Sequence, residues 1–136
     1  MSKIQILGCP FCEIVDSAVH DRILAANKFG FLIRDGYPVT PGHSLIILKR
    51  HIGSFFDISA EERQALFDLV DEAKVRLDAE FKPASYNVGL NDGPAAGQTV
   101  PHLHIHLIPR YTDTESDPRG GVRWVIPEKA DYWSAS

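Results

Sequence analysis

From His102 to Leu107 the chain alternates imidazole and aliphatic side chains without a break: His102, Leu103, His104, Ile105, His106, Leu107. A period of two is the pattern of a β-strand with one face in the core. Leu103, Ile105 and Leu107 are expected inside. The three imidazoles then stand on the opposite face, about 6–7 Å apart at a rise of ~3.3 Å per residue. Three of the chain's six histidines fall in these five positions, which chance placement of surface residues does not explain. The strand is read as residues 100–108.

The elements around it follow from similar patterns. Residues 22–26 and 29–34 read as strands joined by a hairpin at Asn27-Lys28. Residues 44–49 are a nearly continuous apolar run, as in the middle of a sheet, and residues 85–90 read as a further strand. One long helix intervenes. Ser59 and Glu62 fit a capping box, Leu66, Leu69, Val70, Ala73 and Leu77 recur at helical spacing, and Pro83 stops the helix near residues 81–82. The expected fold is α+β: an antiparallel sheet of about five strands, one long helix and a short C-terminal helix.

A chain of 136 residues, 44% hydrophobic and 24% charged, suits a single globular domain spanning 1–136, with an N-terminal segment at 1–14 and a polar tail at 111–136. A net charge of −4 with no basic run argues against a nucleic-acid partner. No apolar stretch approaches the ~20 residues that span a bilayer. With no secretory leader and only two cysteines, a soluble cytoplasmic protein is expected.

The row of imidazoles suggests attack on phosphorus. A neutral imidazole is nucleophilic near pH 7 without first losing a proton, and neighbouring imidazoles can stabilise phosphate oxygens or protonate a leaving group.

The segment Gly97-Gln98-Thr99-Val100-Pro101-His102-Leu103-His104-Ile105-His106-Leu107-Ile108-Pro109-Arg110 resembles the signature of the histidine triad (HIT) family, and the likeness extends over most of residues 9–110. The loop Asn91-Asp92-Gly93-Pro94-Ala95-Ala96-Gly97-Gln98 is most similar to the fragile histidine triad branch, which cleaves dinucleoside polyphosphates. The resemblance implies His104 as nucleophile, flanked by His102 and His106. It places Gln98 and Thr99 at the phosphates, Asn91 at the phosphate end of the site and Asp35 at the ribose hydroxyls, with His43 behind the triad. Residues 29–34 and 44–49 would form one wall of a purine nucleotide pocket. Asp35 before Gly36 and Asn91 before Asp92-Gly93 also suit turns, and His43 suits a structural hydrogen bond. The family further implies a homodimer joined through the long helix and a strand edge. The implied reaction is hydrolysis or transfer at the α-phosphate of a dinucleoside polyphosphate, nucleoside phosphoramidate or adenylyl sulfate, through a nucleotidyl-histidine. A nucleotide-binding or signalling module with incidental catalysis is the alternative. A uridylyltransferase is less suited, because that group resembles His-Pro-His-Gln where this chain has His106.

Cys9-Pro10-Phe11-Cys12 reads in two ways. It resembles a glutaredoxin-type thiol motif, although a hairpin follows it where that fold needs a helix and a parallel sheet. A pair of thiolates also supplies half of a tetrahedral zinc site. Some triad proteins and the related galactose-1-phosphate uridylyltransferases resemble this arrangement. The likeness implies structural zinc on Cys9, Cys12, His51 and His102, against the plain reading of two reduced thiols.

Overall fold

The computed structural model describes residues 8–16, 20–112 and 117–134. The apolar run at residues 4–7 lies outside them. Helix α1 (Pro10–Asp16) opens directly after Cys9, and Pro10 fits the first helical position because no N–H is needed there. Five strands follow: β1 (Ala25–Ala26), β2 (Gly30–Arg34), β3 (Ser44–Leu48), β4 (Ser85–Gly89) and β5 (His104–Arg110). They pair antiparallel throughout, in the order β1-β2-β3-β5-β4. Helix α2 (Ala60–Glu80) is inserted between β3 and β4, and a short helix α3 (Pro127–Ala130) lies near the C-terminus. The expected α+β architecture is the observed one.

Helix α2 starts at the expected box: Ser59 accepts from the Glu62 amide, and the Glu62 carboxylate accepts from the Ser59 amide. The same carboxylate takes two bonds from Arg50, at 2.6 and 2.9 Å. The helix start is thereby fastened to the chain leaving β3. Leu66, Leu69, Ala73 and Leu77 pack on Leu32, Ile46, Leu48, Ile105 and Leu107 from the sheet. Burying each of these leucines contributes about 1.5–3 kcal/mol as an upper bound. Gly42 has φ +87°, and a side chain there would come within 2.8 Å of Leu77. The glycine lets the helix close on the turn that carries His43.

The opposite face of the sheet shows Phe31, Ile33, Leu45 and Ile47, and α1 covers it with Phe11, Cys12 and Ile14. By register, His104 stands beside Ile47 and His106 beside Leu45 on this face. The triad strand thus divides its side chains between two layers, aliphatic toward α2 and imidazole toward α1.

Two boundaries differ from expectation. β1 contains only two residues of the expected 22–26, though the hairpin itself is tight: Asn27 Oδ1 accepts from the Phe29 and Gly30 amides, and its amide nitrogen donates to Ala65 O on α2. β5 begins at His104 and not at Val100, and it runs on to Arg110. Pro101 has no N–H to continue a ladder, and the His102 amide turns back to Val100 O at 2.8 Å. Pro109 fits inside β5 because pairing with β3 ends at Leu107. Among the described residues no helix is long and apolar enough to cross a membrane.

Candidate active site and metal centre

The structure splits the triad. His102 lies just before β5, is fully buried, and has both ring nitrogens engaged. Its Nε2 is 2.6 Å from Leu48 O, and a carbonyl only accepts, so Nε2 carries the proton. Its Nδ1 is then a lone pair, directed at Cys9 Sγ (3.4 Å) and Cys12 Sγ (3.5 Å). His51 Nδ1 meets Cys12 Sγ at 3.2 Å from another side. These four ligand atoms all lie within 4.8 Å of one another. A tetrahedral ion with metal–sulfur bonds of ~2.3 Å and metal–nitrogen bonds of ~2.0–2.1 Å would set sulfur and nitrogen about 3.5 Å apart. The donor set therefore fits a metal in type, separation and tautomer. Both thiols are buried, which does not suit an exchange reaction that needs an accessible thiolate. Burial also lowers the His102 pKa to about 4.

His104 and His106 keep their rings on the α1 side of the sheet, with centroids 5.2 Å apart. His104 Nδ1 is 2.7 Å from the main-chain oxygen of His102. It must donate, so Nε2 is the lone-pair nitrogen of the neutral ring. His106 has the opposite arrangement. The Val39 amide donates to His43 Nδ1 at 3.1 Å, which leaves the proton of neutral His43 on Nε2. That proton points at His106 Nδ1, 2.9 Å away, and the His106 proton therefore sits on Nε2. Neither Nε2, of His104 or of His106, has a hydrogen-bond partner among the described residues. One ring presents a nucleophilic lone pair, and its neighbour presents a donor.

Asp35, His43 and His106 also form a cluster of metal-ligand type. The Val39 contact argues against an ion there. A neutral imidazole cannot accept at Nδ1 and coordinate through Nε2 at once, because one nitrogen must hold the proton. The cluster is a hydrogen-bond relay. Asp35 Oδ2 stands 3.3 Å from His43 Nε2, and Oδ1 accepts from the Tyr37 amide at 2.8 Å. Asp35 thus forms the turn and still has lone pairs for a further donor. Burial lowers the pKa of His43, opposed by Asp35, and lowers that of His106 to about 4, assisted by repulsion from His104 and His43.

The remaining expected residues lie in the loop before the triad, and no hydrogen bond joins Asn91, Gln98 or Thr99 to a histidine. Gln98 gives both amide hydrogens to Gly53 O and Val100 O, and its oxygen accepts from the Gly93 amide. It braces the loop, so a phosphate contact would require exchanging one of these bonds. Asn91 and Thr99 are exposed. Three contributors carried no sequence signal: the Val39 amide, the Leu48 carbonyl and the ring of Phe11, 5.0 Å from His104.

Comparison with known proteins gives one consistent result. The HIT domain family model matches residues 17–113. A HIT-like protein of Mycoplasma genitalium is 33% identical over 82% of this chain and 79% of its own length. The bis(5'-adenosyl)-triphosphatase of Saccharomyces cerevisiae is 32% identical over 87% of this chain, which spans 55% of that enzyme. A HIT family protein from Bacillus anthracis superposes with a TM-score of 0.72 at 36% identity, covering 78% of this chain and 75% of that one. A zinc-bound histidine triad protein from Mycobacterium smegmatis superposes with a TM-score of 0.72 at 28% identity, covering 81% and 80%.

The tautomers are directly testable. In ¹⁵N-resolved histidine NMR of the nucleotide-free protein at pH 7, His104 is expected protonated on Nδ1 and His106 on Nε2. His106 should stay neutral down to about pH 5, given its pKa near 4. The unfolded ring takes its proton near 6.5, so this group's contribution to stability is complete above 6.5 and declines as pH falls toward 4. Protonation of His106 above pH 6 would contradict the relay.

Proposed function

The chain belongs to the HIT family, and from that premise we propose that it is a nucleotide hydrolase or transferase working through a nucleotidyl-His104 intermediate. The observation that carries this is the opposed pair of tautomers. His104 Nε2 attacks the α-phosphorus of a bound nucleotide as the bond from phosphorus to the leaving group breaks. His106 Nε2–H donates to a phosphate oxygen as its charge grows. Water then attacks the same phosphorus and gives up a proton to solvent, as the P–N bond breaks and its electron pair returns to His104 Nε2. His102 is a fixed support in this scheme, because both its nitrogens are committed elsewhere.

Residues 29–34 and 44–49 are proposed to wall the purine end of the site. Phe31, Ile33, Leu45 and Ile47 themselves are buried beneath α1 and closed to a base in this structure, while Asp35 keeps acceptor capacity for ribose hydroxyls. Dinucleoside polyphosphates are the first substrate class to try, because the yeast relative is named for hydrolysing one. Nucleoside phosphoramidates and adenylyl sulfates present the same α-phosphorus. A homodimer is part of the proposal, supported by β4 ending the sheet as an edge strand with Val88 exposed.

His104→Ala should abolish turnover and leave nucleotide affinity nearly unchanged, since the loss falls in the transition state. His106→Ala should cost roughly 10²–10³ in kcat. Steady-state kinetics and equilibrium binding across the three substrate classes check both. Tight binding without turnover on all three by the unaltered protein would leave a nucleotide-binding module instead.

The metal centre is proposed to hold zinc, bound by the Cys9 and Cys12 thiolates and by Nδ1 of His51 and His102. Its contribution is structural cross-linking of α1 to the segment before β5. Elemental analysis of protein purified without added metal should find about one zinc per chain. Cys12→Ser should lower zinc content and thermal stability together. Absence of metal from protein with both thiols reduced would overturn this assignment.

A further inference from the structure

We propose that Phe11, the residue between the two cysteines, is a positioning residue for the nucleophile. The proposal rests on His104 being the attacking group. The hydrogen bond from Nδ1 to the His102 carbonyl anchors one corner of the His104 ring. A single anchor leaves the ring free to rock about it, and the attacking Nε2 lies on the far side where rocking moves it most. Two neighbours limit that motion. The His106 ring is 5.2 Å away at 62°, and the Phe11 ring is 5.0 Å away at 65°. Both are edge-to-face arrangements, the geometry that aromatic rings favour.

Phe11 is itself firmly held. It is buried, it meets the His102 ring edge-on at 5.7 Å and 88°, and its sequence neighbours Pro10 and Cys12 lie in the first turn of α1. The Cys-x-x-Cys segment therefore does more than supply two sulfurs. It carries an aromatic ring onto the nucleophile, while the His102 it surrounds supplies the carbonyl. The metal centre and the reactive nitrogen are connected by two contacts, one polar and one apolar.

A wall for the purine base would also suit a buried phenylalanine here, and the two roles differ in what they change. Losing a base contact weakens binding and leaves the nucleotide-free His104 ring as it was. Losing a positioning contact alters that ring before any nucleotide arrives and lowers kcat with little effect on KM. The test compares the purified, metal-loaded protein with Phe11→Leu, which fills space without an aromatic face. Three readouts are taken: zinc per chain, the ¹⁵N histidine spectrum without nucleotide, and kcat and KM separately on diadenosine triphosphate. The expected result is unchanged zinc, broadened or mixed-tautomer signals for His104, near-normal KM, and kcat reduced about two- to twelve-fold, the range typical of one aromatic pair. Should Phe11→Leu not fold, Phe11→Met carries the same readouts. A raised KM with unchanged kcat and an unchanged His104 signal would overturn the proposal in favour of a base wall. Loss of zinc together with every other property would overturn it in favour of a purely structural loop. Failure of the unaltered protein to turn over any nucleotide would instead sink His104 as nucleophile, and the spectra would still decide whether Phe11 orders its ring.

Discussion

A 2.7 Å hydrogen bond from His104 Nδ1 to the His102 carbonyl determines which nitrogen of His104 can react. That carbonyl is available because residues 100–103 leave the regular ladder. Pro101 interrupts it, Leu103 is held through its amide to Ile52 O, and the His102 ring turns inward to Leu48 O and the two sulfurs. The His102 ring stays on the α1 side, against Phe11 and the two sulfurs, but the residue lies outside β5, and its carbonyl accepts from His104. One displaced residue thus serves as a ligand-type side chain and as a main-chain acceptor.

The second half of the site depends on a different fixed point. The Val39 amide is a donor that cannot change role, and it sets His43, which in turn sets His106. Adjacent imidazoles of the same strand therefore differ in tautomer because each is addressed by a different kind of backbone group, a carbonyl for one and an amide, through His43, for the other. Burial lowers the pKa of His43 and, to about 4, that of His106, which favours the neutral rings on which the relay's direction depends. The turn carrying Val39 and His43 is seated by Gly42 against Leu77 and Phe81, which couples it to the helix packing.

Much of this was legible in the sequence where the signal is local. The capping box at Ser59 and Glu62 and the leucine spacing located α2 within two residues at each end. Alternation located Ile105 and Leu107 in the core opposite His104 and His106. The same alternation kept His102 on the imidazole side but overextended the strand, because Leu103 is buried whether or not its segment stays in the ladder. The metal-type cluster was foreseeable only with a family resemblance, since its cysteines and histidines are up to 93 residues apart in sequence. Contributions from backbone groups, such as those of Val39 and Leu48, have no side-chain identity to detect. The contact of Phe11 with His104 is created entirely by tertiary packing, so no local pattern signals it.

In the proposed reaction phosphorus is bonded to His104 Nε2 before water arrives. Stereochemistry at phosphorus tests it most directly. With a substrate made chiral at the α-phosphorus by sulfur, and with isotopically labelled water, two in-line displacements predict net retention in the nucleoside monophosphorothioate product. Net inversion would mean that water attacks the substrate in one step, and would contradict the account.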